Sequence, residues 1–413
     1  MGKGFQSALA PVIAAALVLS AASGCARRPA QDARTLVVWE QEDAAVAPFL
    51  DYLFEEFRKI PGNDGVRILR THYQNEDLRQ QFQTASISGS PPDILLSPSD
   101  PAGVYSVAGF LLPVDGLFDL SRFNRPVVEA ITLEGKAWGV PMSNGNHLML
   151  YYNKRLAPVP PRSTDELEKF CASRGKGAER TTCLALFMGE PYWLMPWVHA
   201  FGDWPIDGRS PTLDTAAMRG ALGYMLSLKF DKKILPMECD YNCMDSLFKE
   251  SKAAFAINGD WALPVYEKQL GADLGVARIP MLSATRRWPA PMVSGKYFLL
   301  SSGLSGEKLD LARRLVELAV SERMQVEQVL RLRRLPALAA AARSRAVAQD
   351  ANLAASMDQV LAGRPMPMAT EMRAVWDAVR PLYARVLAGQ MTPEDASRRM
   401  QADALAKIAE MNE

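Results

Sequence analysis

Three short clusters set an aromatic ring beside a carboxylate: Glu190-Pro191-Tyr192-Trp193, Asn258-Gly259-Asp260-Trp261 and Val375-Trp376-Asp377. That pairing suits carbohydrate, whose apolar faces stack on aromatic side chains while carboxylates accept hydrogen bonds from neighbouring hydroxyls. One such pair alone proves little, because a tryptophan more often fills a core than lines a site. The motifs of catalysis and phosphate binding are missing: there is no G-x-G-x-x-G, Walker loop, G-x-S-x-G or H-E-x-x-H. The three histidines, His72, His147 and His199, are scattered and none stands at ligand spacing. A Ser-His-Asp arrangement is therefore unsupported. The chemistry on offer is recognition, and neither metal nor cofactor is implied.

Five cysteines add a second kind of chemistry. Cys25 follows Lys3 and an apolar run, Pro11 to Ala22, that is short of the roughly 20 residues needed to span a bilayer. The run reads as the apolar region of a secretory signal. Ala22-Ser23-Gly24-Cys25 resembles a lipobox, which implies removal of residues 1–24 and acylation of the Cys25 thiol. Residues 25–34 then form a lipidated tether at a membrane; the alternative is a soluble secreted protein with an incidental cysteine. In an exported chain the other four favour disulfides, Cys171–Cys183 and Cys239–Cys243, over free thiols or a metal site.

The elements that must position these groups follow from periodicity. The chain has 413 residues, 48% hydrophobic and 23% charged, which is a globular balance and enough for two or three domains. Forty-seven Lys plus Arg against 46 Asp plus Glu create no global field toward nucleic acid or anionic lipid. Residues 35–39, 66–73 and 93–96 read as strands, and 44–59 and 77–86 as helices. This alternation predicts an α/β fold on a parallel sheet, with ligands held beyond the strand ends, in the loops after Trp39 and Leu96. Farther on, Ser163 with Glu166, and Thr392-Pro393-Glu394-Asp395, are helix starts. One helical stretch is expected over 304–330, with Leu311, Leu315, Leu318 and Ala319 on one face, and a solvated helix over 337–348.

Several stretches, in one order, resemble the maltose/maltodextrin-binding proteins of ABC importers, within the wider extracellular solute-binding family. They are Glu134-Gly-Lys-Ala-Trp-Gly-Val-Pro141 with Leu150-Tyr-Tyr-Asn-Lys154, Gly189-Glu-Pro-Tyr192, Ala254-Phe-Ala-Ile-Asn-Gly-Asp-Trp261, and Met366-Pro-Met368 with Val375-Trp-Asp-Ala-Val-Arg380. The resemblance runs over roughly residues 35–408. It implies a two-lobe fold of the type II periplasmic-binding-protein class, with a cleft between lobes and hinge crossings. The first lobe is expected over 35–145 plus 299–338, the second over 146–298 plus 339–413. The implied protein is an extracytoplasmic monomer, not an enzyme, that binds an oligosaccharide and serves an ABC permease.

Position by position, the resemblance assigns Tyr192, Trp261 and Trp376 to the aromatic wall and Glu190 and Pro191 to its edge. It assigns Asp43 and Asp100 to the carboxylates of the first lobe. The sequence also departs from the family pattern. Ala44 stands for a lysine, Ser97 for a tryptophan, Pro101 for an arginine and Asp377 for an aromatic residue, while an acidic position near the first hinge falls at about Asn146. Two other readings follow from the losses and the acids: a degenerate receptor that binds another ligand or signals, and a secreted glycosidase using Asp100 and Glu190.

Overall fold

The computed structural model describes residues 32–42, 44–173 and 182–412; Cys25 and Asp43 lie outside the described residues. In chain order the first elements are β1 (Thr35–Glu40), α1 (Ala47–Arg58), β2 (Arg67–His72), α2 (Asn75–Ile87), β3 (Ile94–Ser97) and β4 (Val140–Pro141). Then come β5 (Leu148–Asn153), α3 (Thr164–Ser173), β6 (Thr182–Leu186), β7 (Ala253–Gly259) and β8 (Leu274–Ala277). The last main elements are β9 (Tyr297–Leu300), α4 (Gly306–Ala319), α5 (Glu322–Leu332), α6 (Met372–Leu387) and α7 (Pro393–Asn412).

Two sheets organise two lobes. The first has the order β2-β1-β3-β9-β4, and the second β8-β5-β7-β6. β1 pairs in parallel with β2 and β3, as the strand-helix alternation predicts, and β9 closes on β3 antiparallel. β9 starts at Tyr297, two residues before the expected return to the first lobe. Apolar residues cover both faces of this sheet. Leu36 and Val38 meet Phe49, Leu53 and Phe57 of α1 on one side, while Leu95 and Leu299 meet Leu78 and Phe82 of α2 on the other. The second core is separate and gathers Leu150, Leu184 and Phe255 around its sheet.

Three chain segments cross side by side between the lobes. Gly145 and Ser294 exchange both main-chain hydrogen bonds (3.0 and 2.9 Å), and Asn144 N–H donates to the Leu335 carbonyl at 2.9 Å. Gln325 ties the third segment to the first, donating to the Met142 carbonyl (2.7 Å) and accepting from Ala337 N–H (2.8 Å). The packing is tight enough that a Cβ on Gly295 would lie 1.9 Å from the Ser143 carbonyl oxygen.

The cysteines are joined as Cys171–Cys183 and Cys239–Cys243. Two helical expectations need correction. The stretch 304–330 divides into α4 and α5 because Ser321 caps a new helix, its hydroxyl accepting from Met324 N–H at 3.3 Å, and Leu318 is only half-buried. Residues 337–348 form two single turns, Ala339–Ala342 and Arg345–Ala348, with Ala341 and Val347 buried, so this is not a solvated helix.

Candidate functional site

A cavity of about 750 Å³ opens between the lobes, in the range of small-molecule sites. The loops after β1 and β3 contribute Gln41, Pro98 and Asp100 from the first lobe, where a parallel sheet places its ligands. From the second lobe come Glu190, Tyr192, Trp193, Trp261 and Trp376. The structure therefore brings Asp100, Glu190, Tyr192, Trp261 and Trp376 together. Pro191 is buried and does not line the cavity; it opens the short turn Pro191–Trp193 that aims Tyr192.

Tyr192, Trp193 and Trp261 are each held by the polar end. Tyr192 points its hydroxyl at the main-chain carbonyls of Asn146 and, at 3.2 Å, Met292. Burial, reinforced by the charges of Asp260 and Asp100, raises its pKa and keeps the phenol protonated. Trp261 donates its indole N–H to the Tyr241 hydroxyl at 2.9 Å, and Trp193 donates to the Ile257 carbonyl at 2.7 Å. Trp193 and Trp261 meet edge-on, 6.2 Å between centroids. With their polar atoms satisfied, these groups present rings of fixed orientation.

The charged groups are matched. Arg79 of α2 donates to Asp100 at 2.9 Å. Arg380 of α6 holds both oxygens of Glu190 at 3.2 Å. Lys296, on a hinge segment, lies 3.3 Å from Glu42, whose other oxygen accepts from Arg334. Burial pushes the Glu42 pKa up, but the charges of Arg334 and Lys296 outweigh it and leave the carboxyl lowered to about 2.

Asp260, one of the acids beside an aromatic, faces away from this role. It is buried, accepts from Asn146 N–H at 3.2 Å, and a Cβ on Gly145 would sit 2.1 Å from its Oδ2. Its work is at the hinge. Sequence reasoning missed Arg79, Lys296 and Tyr241, which line the cavity from α2, a hinge segment and the start of the helix Tyr241–Lys249. Arg380 stood in a quoted motif, and its one-turn spacing from Trp376 was the available signal.

The sequence profile of the bacterial extracellular solute-binding proteins matches residues 53–355. The chain belongs to this family. As a solute-binding protein it is a receptor and not an enzyme, which sets aside the glycosidase reading of Asp100 and Glu190. Membership in an extracellular family places its work outside the cytoplasm. Among similar proteins, the maltotriose-binding protein of Pyrococcus abyssi is 24% identical over 320 residues, spanning 76% of this chain and 70% of that one. A maltooligosaccharide ABC transporter solute-binding lipoprotein of Streptococcus pneumoniae is 25% identical over 322 residues, 75% of each chain. The solved maltose/maltodextrin-binding domain of Bdellovibrio bacteriovorus, bound to maltotriose, superposes with a TM-score of 0.83 at 33% identity. That match covers 91% of this chain and 100% of the other. The two-lobe solute-binding fold and the likeness to maltodextrin-binding proteins thus agree with the six sequence stretches.

Proposed function

We propose that this solute-binding protein captures a neutral maltodextrin-type oligosaccharide between its lobes and delivers it to an ABC permease, tethered to a membrane through acylated Cys25. The observation that carries the reading is the pairing of walls across one cavity: locked aromatic rings from the second lobe against ion-paired carboxylates of the first. Rings recognise the apolar faces of sugar, and carboxylate-guanidinium pairs accept from and donate to its hydroxyls. Because Arg79, Arg380 and Lys296 each face a carboxylate, the cavity offers matched charge and suits an uncharged ligand.

The two cations missing from the first lobe are answered from elsewhere in the fold. Pro101 cannot supply a guanidinium, but Arg79 reaches Asp100 from α2; Ala44 cannot supply an ammonium, but Lys296 enters the cavity from the hinge. In this reading Asp43, Asp100, Glu190, Tyr192, Trp261 and Trp376 contact the sugar. The lobes comprise 35–145 plus 297–338 and 146–296 plus 339–412. A relative named as an ABC transporter lipoprotein supports the tether and the permease.

The test is a tryptophan-fluorescence and calorimetric titration of the mature chain carrying Cys25→Ser with maltose, maltotriose, longer maltodextrins, trehalose and sucrose. Saturable binding of the maltodextrins is expected. A folded sample silent to the whole panel overturns the reading in favour of a degenerate receptor. In cells, Cys25→Ser should move the protein from the membrane fraction to the soluble one.

A further inference from the structure

The cleft has a neighbour. A second cavity of about 470 Å³ adjoins it, and Glu76, Arg79 and Arg373 line both. These three belong to a continuous row of alternating charge. Asp100 accepts from Arg79 at 2.9 Å, and Arg79 lies 3.9 Å from Glu76 on the same helix. Glu76 lies 3.7 Å from Arg373 of α6, and Arg373 donates to Asp377 at 3.0 Å. α2 belongs to the first lobe and α6 packs on the second, so the contact between Glu76 and Arg373 joins the lobes.

Two positions that depart from the family pattern take part in this arrangement. Asp377, standing where an aromatic ring is the rule, anchors Arg373; Pro101, standing for an arginine, leaves Asp100 to Arg79 and lines the second cavity. Exchange of a ring for a carboxylate removes a stacking platform and installs a counter-charge. The exposed pair between Glu76 and Arg373 contributes little to stability. What the row does is occupy space between two cavities with side chains that hold one another in place.

We propose that the row Asp100–Arg79–Glu76–Arg373–Asp377 is the end wall of the cleft and sets the longest maltodextrin the closed protein holds; this rests on the carbohydrate reading above. The second cavity, with Lys407 and Glu410 of α7 on its far side, is the space a longer chain enters once the wall is removed.

The experiment compares the mature protein with its Glu76→Ala/Arg373→Ala variant by calorimetric titration with maltotriose through maltoheptaose. Glu76 is exposed and Arg373 only half-buried, so the fold should persist; Glu76→Ala alone, which cuts the contact between lobes, provides a second variant. The mature protein should lose at least about tenfold in affinity between its best short ligand and maltoheptaose. The variants should recover most of that loss, so that the ratio of maltotriose to maltoheptaose affinity falls toward one. Equal affinity of the parent for short and long members overturns the wall, as does an unchanged length profile in both variants. A parent that binds no member of the series overturns the carbohydrate reading itself, and the wall with it.

Discussion

Tyr192 separates two roles within one side chain. Its hydroxyl is spent on the Asn146 and Met292 carbonyls beside the hinge segments, and its ring lines the cavity. Tyr192→Phe should therefore keep sugar affinity within a few-fold while lowering stability by about 1 kcal/mol, the net worth of a hydrogen bond. Trp376→Ala removes a ring outright and should weaken maltotriose binding by about 1–3 kcal/mol, roughly five- to 150-fold. Calorimetric titration beside thermal unfolding separates the two; if Tyr192→Phe lost as much affinity as Trp376→Ala, the hydroxyl would belong to the ligand. Arg79→Met should also weaken binding, by about 1–3 kcal/mol, since it leaves Asp100 without its donor in the cavity. The residues that could be read from sequence were those carried in contiguous motifs, Glu190 with Tyr192, Trp261 and Trp376, together with Asp100 in the polar loop after β3. Arg79 was not readable because its value comes from a contact 21 residues away, which only packing of α2 on the sheet creates. Asp260 misled for the converse reason: its neighbour Trp261 lines the cavity while its own carboxylate satisfies a hinge N–H.

At the scale of elements, the hinge depends on backbone approaching backbone. A side chain at Gly295 would have to displace the Ser143 carbonyl, which is main chain and cannot swing aside. Gly295→Ala should accordingly destabilise the protein by about 1–3 kcal/mol, the usual range for overpacking, with a lowered unfolding temperature as the readout. A variant as stable as the parent would mean that the crossing segments slide freely. The strands and helices around α1 and α2 were legible because their apolar residues keep a clean period, and β1, β2 and β3 fall within one or two residues of the expected bounds. The hinge was not legible, since its hydrogen bonds join residues about 150 apart in sequence, such as Gly145 and Ser294. Residues 304–330 failed differently. Their apolar spacing continues through Val320-Ser321, so periodicity sees one helix, whereas the serine hydroxyl finds an N–H to cap and starts another. Ser163 and Glu166 did begin α3, although Glu166 reaches back to Arg162 N–H (2.7 Å) in place of the cap residue's own.

For the whole molecule, Glu42 is the group through which ligand loop, hinge and stability are joined. It lies in the loop after β1, is fully buried, and meets one cation from each of two crossing segments, Lys296 and Arg334. Its folded pKa is lowered from 4.5 to about 2, so the folded state binds its proton less readily than the unfolded chain. The stabilisation is therefore present above the unfolded value and is lost as pH falls from 4.5 toward 2. At neutral pH it amounts to something on the order of 3 kcal/mol, by the conversion of about 1.4 kcal/mol per pK step. Glu42→Gln removes the titration and leaves Arg334 buried without its counter-charge, a loss of about 3–5 kcal/mol. Thermal unfolding across acidic to neutral pH should show the variant well below the parent at pH 7, with the two curves converging as the parent's carboxylate is protonated. Other carboxylates titrate in both proteins and cancel in the difference. Parallel curves, with a gap that does not close in acid, would mean that Glu42 stabilises by shape alone, and the charge link between the binding loop and the hinge would have to be abandoned.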